Sequence, residues 1–210
     1  MAARASGRLL GEHMPSLSDH TFSDQAVLVV AFDRVFDAPV EDVWPWLVEP
    51  ELTAQWYGPG LHVGDRGEVK LPMHAGVGAP AMNGTLVECD PGRFLRLQFR
   101  EGKYTWYASA TLDRDHSTPG APTTLTCVQS FGSAEFLERI GPSWDYFLDK
   151  LVLAQAGDDP HALTFTPDYF PALVPYYQGL IREAIAAAQR TRDNADAFGS
   201  RDVGGDDLPR

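Results

Sequence analysis

Cysteine is scarce in this sequence, which contains only Cys89 and Cys127 among its 210 residues. Two cysteines cannot form the framework of several disulfide bonds that holds many small secreted domains together. Each falls in a segment whose pattern predicts a β-strand, so we expect buried, reduced thiols that pack like small apolar side chains. The cysteine content therefore argues against a disulfide-rich secreted protein.

Long apolar runs are also missing. No segment approaches the roughly 20 consecutive apolar residues that a membrane-spanning helix requires. Near the N-terminus, only the pair Leu9-Leu10 stands where a secretory signal would have an apolar segment of about 7–15 residues. We therefore expect a cytoplasmic protein that does not insert into a membrane.

Positive charge is in the minority. The sequence has 17 lysine and arginine residues against 29 aspartate and glutamate residues, which gives a formal net charge of −12. Binding to nucleic acid or to an anionic membrane surface requires concentrated positive charge, which this composition does not favour. The sequence therefore predicts no nucleic-acid partner.

Motifs for metals and cofactors are absent as well. The six histidines are scattered along the chain, without the close spacing that is typical of zinc ligands. The sequence contains no P-loop, no glycine-rich dinucleotide-binding motif and no G-x-S-x-G nucleophile motif. We therefore predict no metal site and no cofactor.

The clearest structural signal lies in residues 27–60. Their first part is rich in valine and phenylalanine, which predicts a β-strand. The motif Asp37-Ala38-Pro39 ends this strand, and the apolar residues that follow, three and four apart, predict a short helix. A second short helix is predicted from Glu51 to Trp56. This stretch therefore predicts a strand followed by two short helices.

The middle of the chain, residues 61–132, predicts several short strands joined by turns. In residues 93–100, for example, Leu95, Leu97 and Phe99 alternate with polar side chains, which is typical of a strand with one buried face. Consecutive strands with short connections pair in the antiparallel sense, because parallel strands need long crossover connections. We therefore predict an antiparallel meander.

Two helical segments are predicted next, at residues 133–140 and 142–156. The pair Gly141-Pro142 is predicted to separate them, because proline breaks the hydrogen-bonding pattern inside a helix. The longer segment is amphipathic, with apolar residues three and four apart on one face. Its opposite face is predicted to be exposed and carries Asp145, Asp149 and Lys150.

A further helix is predicted within residues 168–192. Its apolar stripe consists of Leu173, Tyr176, Tyr177, Leu180, Ile181, Ala184 and Ile185. A stripe of this width needs to be covered by other protein atoms. It could dock on the preceding domain or on a second chain, so a homodimer through the C-terminal helix is one of two alternatives.

Two sets of residues carry a resemblance to a known family. The first set comprises Asp37, Ala38, Pro39, Val43, Trp44, Trp56, Tyr57, Gly58 and Pro59. The second set comprises Trp144, Leu148, Asp149 and Leu151. Together they resemble the SRPBCC/START (Bet v 1-like, helix-grip) superfamily, and within it the branch of homologues of the activator of Hsp90 ATPase.

The resemblance covers residues 26–155 and implies an α+β helix-grip fold. In this fold a curved antiparallel β-sheet wraps around a long C-terminal helix, and two short helices follow the first strand. We accordingly divide the chain into an N-terminal tail (1–25), a START/Bet v 1-like domain (26–156), a linker with an extra C-terminal helix (157–192) and a disordered tail (193–210).

A curved sheet around one helix leaves an internal cavity, which suits a small-molecule site. The candidate lining residues are large apolar or aromatic side chains and one histidine: Trp46, Trp56, Tyr57, Met73, His74, Met82, Phe99, Tyr104, Trp106, Phe131, Trp144 and Phe147. His74 is the candidate catalytic residue, because a loop histidine can act as a general acid or base near neutral pH. The alternative is that these side chains simply fill the core.

The resemblance leaves three functions open. The favoured one is a carrier or sensor that binds a hydrophobic or amphipathic small molecule, such as a lipid, in the cavity. The alternative is an enzyme of the polyketide cyclase/aromatase or hydrolase kind that uses the same cavity. A chaperone-associated interaction protein is the least favoured, because the activators that name the branch need a separate N-terminal domain.

Overall fold

A computed structural model describes residues 5–10, 28–58, 62–63, 67–72, 81–101, 104–131 and 134–199. Within these residues, eight strands form one antiparallel sheet with the order β1-β2-β8-β7-β6-β5-β4-β3. The strands are β1 Arg8–Leu9, β2 Leu28–Phe36, β3 His62–Val63, β4 Glu68–Pro72, β5 Ala81–Asp90, β6 Phe94–Glu101, β7 Tyr104–Arg114 and β8 Thr123–Phe131. The sheet is curved and holds a long helix, α4 (Ala134–Gln155), as the sequence predicts.

The meander arises from short connections between neighbouring strands. β5 pairs with β6, β6 with β7 and β7 with β8, each in the antiparallel sense. The return of the chain places β8 beside β2, where Leu28 pairs with Phe131 and Phe36 with Thr123. The first and last long strands are therefore neighbours. Residues 5–10 of the predicted tail add β1 at the edge of β2.

Short helices connect β2 to β3. They are α1 Val40–Val43, α2 Pro45–Val48 and α3 Pro50–Trp56. The sequence predicts two helices here, but the first is divided at Trp44. Pro45 has no backbone N–H to continue the helical hydrogen bonds, so a new helix begins at this residue.

The long helix corrects the prediction of a break at Gly141-Pro142. α4 is a single helix of 22 residues, about 33 Å long at 1.5 Å per residue, and Pro142 lies inside it. Leu137 and Ile140 are buried before the proline, and Leu148 and Leu151 are buried after it. Burial of apolar side chains on both sides offsets the roughly 3 kcal/mol that an internal proline costs.

A C-terminal helix, α5 (Val174–Gly199), packs against α4 in the same chain. Within its predicted stripe, Tyr177 and Ile181 are buried in the core, whereas Ile185 is 51% exposed. The helix begins at Val174, which puts Pro175 in its first turn, and it extends to Gly199 instead of ending at Arg192. Residues 193–199 of the predicted disordered tail are therefore helical.

Because α5 covers one side of α4, the prediction of an exposed polar face on α4 is wrong. Asp145 is fully buried, and Lys150 is 8% exposed. Asp149 is partly buried as well. Both long sides of the helix are covered, one by the sheet and one by the C-terminal helix. Two-sided burial cannot be read from the amphipathic pattern of one helix alone.

No helix in the described residues is long and apolar enough to span a bilayer. The two cysteines differ in their surroundings, because Cys127 is buried and Cys89 is exposed. The prediction of a buried thiol is therefore correct for Cys127 and wrong for Cys89. Burial raises the pKa of the Cys127 thiol to about 12.

Candidate functional site

Three of the predicted site residues lie on the inner, helix-facing side of the sheet. Phe99 on β6 pairs with Trp106 on β7, and their rings stack with 4.2 Å between centroids. Phe99 also pairs with Gly84 on β5, two residues beyond Met82. Alternate residues of a strand share a face, so Met82, Phe99 and Trp106 lie together at one end of the sheet.

Small residues make room for these rings. A Cβ atom placed on Gly84 would lie 2.5 Å from Cε1 of Phe99, so the phenyl ring occupies the space over this glycine. Ala108 and Ala110 on β7 follow Trp106 on the same face, and both are buried. The inner face is therefore recessed where the helices approach it.

Four further predicted residues come from helices α3 and α4 and from the residue that follows α3. The ring of Tyr57 lies 4.4 Å from that of Phe147, 5.3 Å from that of Trp56 and 6.2 Å from that of Trp144, measured between centroids. Trp56 also donates a hydrogen bond from its indole nitrogen to the carbonyl oxygen of Trp46, at 2.9 Å. These side chains form a contiguous aromatic cluster.

Gln129 on β8 connects the helix cluster to the sheet. Its side-chain oxygen accepts a hydrogen bond from the indole nitrogen of Trp144. Gln129 is only 2% exposed and pairs with Ala108 on β7. Gln129 is not among the predicted site residues. The period-two pattern of β8 does place it on the buried face with Leu125 and Cys127.

The remaining predicted residues divide into two groups. Met73 and the catalytic candidate His74 lie outside the described residues. Tyr104 and Phe131 are placed by their backbone at the ends of β7 and β8, near Trp106 and Gln129. The candidate site therefore consists of the aromatic cluster, the recessed inner face and Gln129.

A second site of interest is a polar cleft between β2, α4 and the segment before α5. Its volume is about 370 Å³, and its lining includes Ser6, Arg34, Asp149 and Tyr169. Another cleft, of about 630 Å³, lies between the end of β2 and the end of α4 and includes Phe36, Asp42 and Gln155. Within the described residues, neither of these two clefts is lined by the aromatic cluster.

The polar cleft is organised by Arg34, which lies on the inner face of β2. Its guanidinium group donates to Asp149 Oδ1 at 2.8 Å and to Asp145 Oδ1 at 3.1 Å. It also donates to the hydroxyl of Ser6, which in turn donates to Asp145 Oδ1 at 2.6 Å. Burial acts to lower the pKa of Arg34, but the charges of Asp149 and Asp145 raise it overall.

Two tyrosines complete this network from the C-terminal segment. Tyr177 donates its hydroxyl hydrogen to Asp145 Oδ2, and Tyr169 donates to Asp149 Oδ2 at 2.7 Å. Burial, together with the neighbouring carboxylates, raises the pKa of both tyrosine hydroxyls. Both phenols therefore stay protonated as donors. Because the guanidinium group and both carboxylates already have partners, the network is best explained as a structural connection between β2, α4 and the C-terminal segment.

Sequence analysis did not identify this network, although one signal was present. Arg34 interrupts the series Val30, Phe32 and Phe36, which occupies the buried face of β2 at every second residue. A charged residue at such a position needs buried partners. Its partners are 111 and 115 residues away in the chain, so the sequence does not reveal which residues they are.

Metal ligation has no support in the described part of the chain. No group of three or more histidine, cysteine, aspartate or glutamate side chains there is arranged to hold a metal ion.

Solved structures share the architecture described above. The solution structure of CalU16 from Micromonospora echinospora aligns with a TM-score of 0.60 and 19% sequence identity, over 87% of this chain and 97% of that one. The chain has the helix-grip fold. The EF2215 protein of unknown function from Enterococcus faecalis aligns with a TM-score of 0.56 and 16% identity, over 77% of this chain and 88% of that one.

A third helix-grip structure is DynU16, a protein of the dynemicin biosynthetic locus. It aligns with a TM-score of 0.51 and 19% identity, over 63% of this chain and 49% of that one. At these identities the likeness shows the fold alone, because one fold can host unrelated functions. No family model matches the sequence, and no curated protein is significantly similar to it.

Proposed function

We propose that this helix-grip domain binds a hydrophobic or amphipathic small molecule between α3, α4 and the inner face of β5–β8. The observation that carries the proposal is the incomplete burial of the rings at this place. Trp46, Trp106 and Trp144 are only half-buried, although they pack on the core. A ligand that covers these rings would remove further apolar surface from water, which is the main favourable contribution to such binding.

The recessed inner face supports the same proposal. The ring of Phe99 from the neighbouring strand fills the space over Gly84, and Ala108 and Ala110 are small buried residues on the same face. A ligand ring that replaces one of these ring contacts would form a new contact of similar strength, so little packing energy would be lost. Carrier and sensor functions both require such a site.

The enzyme alternative finds less support at the described site. Its polar side chains are the Gln129 amide and the Tyr57 hydroxyl, and burial raises the pKa of that hydroxyl. Neither group is suited to exchange protons near neutral pH. DynU16 belongs to a biosynthetic locus, which keeps a cyclase-like or hydrolase-like reaction as the alternative, with His74 as its candidate catalytic residue.

Three narrower assignments belong to this proposal. The Asp37-Ala38-Pro39 and Trp56-Tyr57-Gly58-Pro59 motifs support placement in the branch of homologues of the Hsp90 ATPase activator. The docking of α5 on α4 of the same chain favours a monomer over a homodimer. The composition supports a cytoplasmic location.

Native mass spectrometry, followed by extraction of the denatured protein, tests the binding proposal. We expect a co-purified small molecule, or binding of the neutral probe N-phenyl-1-naphthylamine with quenching of tryptophan fluorescence. A protein that purifies empty and leaves this probe unbound would overturn the proposal.

Two variants of strand β7 make this test specific to the inner face. Ala108→Leu adds volume on that face and should weaken probe binding about tenfold or more. Ser109→Leu, on the opposite face of the same strand, serves as the matched control and should leave binding unchanged. Equal effects of the two substitutions would contradict the proposed location.

A further inference from the structure

The inner face of the sheet contains one buried side-chain amide in otherwise apolar surroundings. Gln129 is 2% exposed and pairs with Val30 on one side and with Ala108 on the other. Neither neighbour has a polar side-chain atom that could satisfy the amide. A buried amide group without hydrogen-bond partners costs free energy. The hydrogen bonds that the Gln129 amide can form therefore determine which ligands can bind beside it.

The orientation of this amide is fixed by Trp144. An indole N–H can only donate a hydrogen bond, so the Gln129 atom that faces it is the oxygen. The Nε2 group of Gln129 therefore points away from Trp144. The hydrogen bond found for this amide within the described residues is the one that its oxygen accepts, and its nitrogen is not one of the fully buried side-chain atoms there that lack a partner. A donor on the buried face of the proposed site is thus available.

Among the described residues, the buried positions around Gln129 carry no charge. On the inner faces of β6, β7 and β8, the buried positions are occupied by uncharged residues, which are Leu95, Leu97, Phe99, Ala108, Ala110, Leu112, Thr123, Leu125, Cys127 and Gln129. Arg34, on the neighbouring strand β2, already pairs with Asp145 and Asp149. A carboxylate or phosphate at this place would lose its hydration without gaining an ionic partner.

We propose that the ligand is an uncharged aromatic molecule that carries a carbonyl oxygen, and that Gln129 Nε2 donates a hydrogen bond to this oxygen. The inference rests on the proposed function and narrows its ligand class. The half-buried rings of Trp106 and Trp144 provide surfaces for an aromatic group, and Gln129 provides an oriented donor. Fatty-acid carboxylates and phospholipid headgroups are disfavoured by the lack of charge.

Three probes of nearly equal shape test the inference. They are 2-acetylnaphthalene, 2-isopropenylnaphthalene, in which a CH₂ group replaces the carbonyl oxygen, and 2-naphthoate, which is a carboxylate. Binding to the full chain is measured by isothermal titration calorimetry. The deciding quantity is the ratio of the hydrocarbon Kd to the ketone Kd, compared between the wild type and each variant. This comparison cancels the different hydrophobicity of the two probes.

Substitution of Gln129 should remove the preference for the ketone. In Gln129→Leu we expect the Kd ratio to fall about three- to tenfold, which corresponds to the loss of one neutral hydrogen bond. Gln129→Met provides a second, more flexible apolar replacement in case the leucine variant folds poorly. Trp144→Phe removes the group that orients the amide, and should lower the ratio by a smaller factor.

The matched control is Gln98→Leu. Gln98 lies on the outer face of β6 and donates to the Tyr107 hydroxyl at 2.8 Å. This variant removes the same side-chain amide from the opposite side of the sheet and should leave the ratio unchanged.

The outcomes separate the inference from the proposed function. Wild-type binding of both naphthalenes with a ratio that Gln129→Leu and Gln129→Met do not change would overturn the inference and leave the proposed function intact. Tighter binding of 2-naphthoate than of the ketone would also overturn the inference. If none of the three probes binds, the inference fails. Binding of N-phenyl-1-naphthylamine to the same protein then decides separately whether the proposed function stands.

Discussion

The ring of Tyr177 in α5 lies directly against the backbone of Gly141 in α4. A Cβ atom at position 141 would be 2.6 Å from Cδ1 and from Cε1 of this ring. The absence of a side chain at Gly141 is thus what lets the two helices approach, and it brings the Tyr177 hydroxyl to Asp145 one turn further along α4. The glycine that the sequence pattern assigns to a helix break instead forms a contact between helices.

Gly141→Ala should therefore destabilise the protein, although alanine is the better helix former. Overpacking against Tyr177 costs about 1–3 kcal/mol, and the gain in helix propensity returns about 1 kcal/mol. We expect a net loss of up to about 2 kcal/mol in the free energy of unfolding, measured in urea. Gly179→Ala is the control, because a Cβ there has only the Arg182 side chain nearby, at 3.9 Å, and should be stabilising. A stabilised Gly141→Ala would contradict the contact.

Ser143→Ala should stabilise the protein. Within the described residues, the buried Ser143 hydroxyl oxygen in α4 has no hydrogen-bond partner, and the residue is 1% exposed. Removing an unsatisfied buried hydroxyl and adding a better helix former should raise the free energy of unfolding by about 1 kcal/mol. Ser130→Ala should have the opposite effect, because the hydroxyl of Ser130 accepts from the backbone nitrogen of Tyr107 at 3.2 Å. Equal effects of the two substitutions would show that Ser143 does have a partner.

Asp145→Ala should be strongly destabilising. The substitution removes the acceptor shared by Ser6, Arg34 and Tyr177, and leaves part of a buried guanidinium group unpaired. Breaking a buried ion pair in this way costs about 3–5 kcal/mol. The control is Arg8→Ala, which breaks the more exposed pair with Asp33, where the side chains are 51% and 35% exposed, and should cost about 1 kcal/mol or less. A small loss for Asp145→Ala would indicate that the network contributes little.

Asp115 provides a prediction for acidic pH. Hydrogen bonds from the Ser117 and Thr118 hydroxyls and the Ser117 backbone lower the pKa of this carboxyl from 3.8 to about 2. Because the folded-state pKa is lowered, the contribution of these bonds to stability is complete above pH 3.8 and is lost as the pH falls towards 2.

An NMR titration of the Asp115 side chain measures this shift directly. Ser117→Ala combined with Thr118→Val removes both hydroxyl donors and should move the titration midpoint upward, towards 3.8. The backbone donor remains at 2.9 Å, so the shift should be incomplete. A wild-type midpoint near 3.8 would contradict the turn geometry.

The order of strands and helices could be predicted from local patterns. The alternation in residues 93–100 is enough to identify β6, since one face of a strand must be apolar to pack on the core. The same reasoning identifies β2, β7 and β8 and the apolar face of α4. The shared inner face of Phe99 and Trp106 follows from this period, and Gln129 could have been added by the same rule.

What the sequence could not provide was the environment of each polar residue. Asp145 is predicted to face solvent when α4 is considered alone, because an amphipathic pattern describes only one buried face. The docking of α5 buries the other face and brings Tyr177 to this carboxylate, and the packing of α4 on β2 brings Arg34 to it. Gly141 and Pro142 likewise predict a break in α4 when the helix is considered without its tertiary contacts.

By itself, the sequence determined the periodicities, and hence the order of strands and helices. The helix-grip arrangement was implied by the resemblance that the Asp37-Ala38-Pro39 and Trp56-Tyr57-Gly58-Pro59 motifs carry. The tertiary structure alone decided which polar groups are buried together, which glycine lies against a ring of another helix and which amide is oriented by an indole. The physical reason is that secondary structure depends on neighbours a few residues apart. Burial and hydrogen-bond satisfaction depend on groups that only the folded chain brings together.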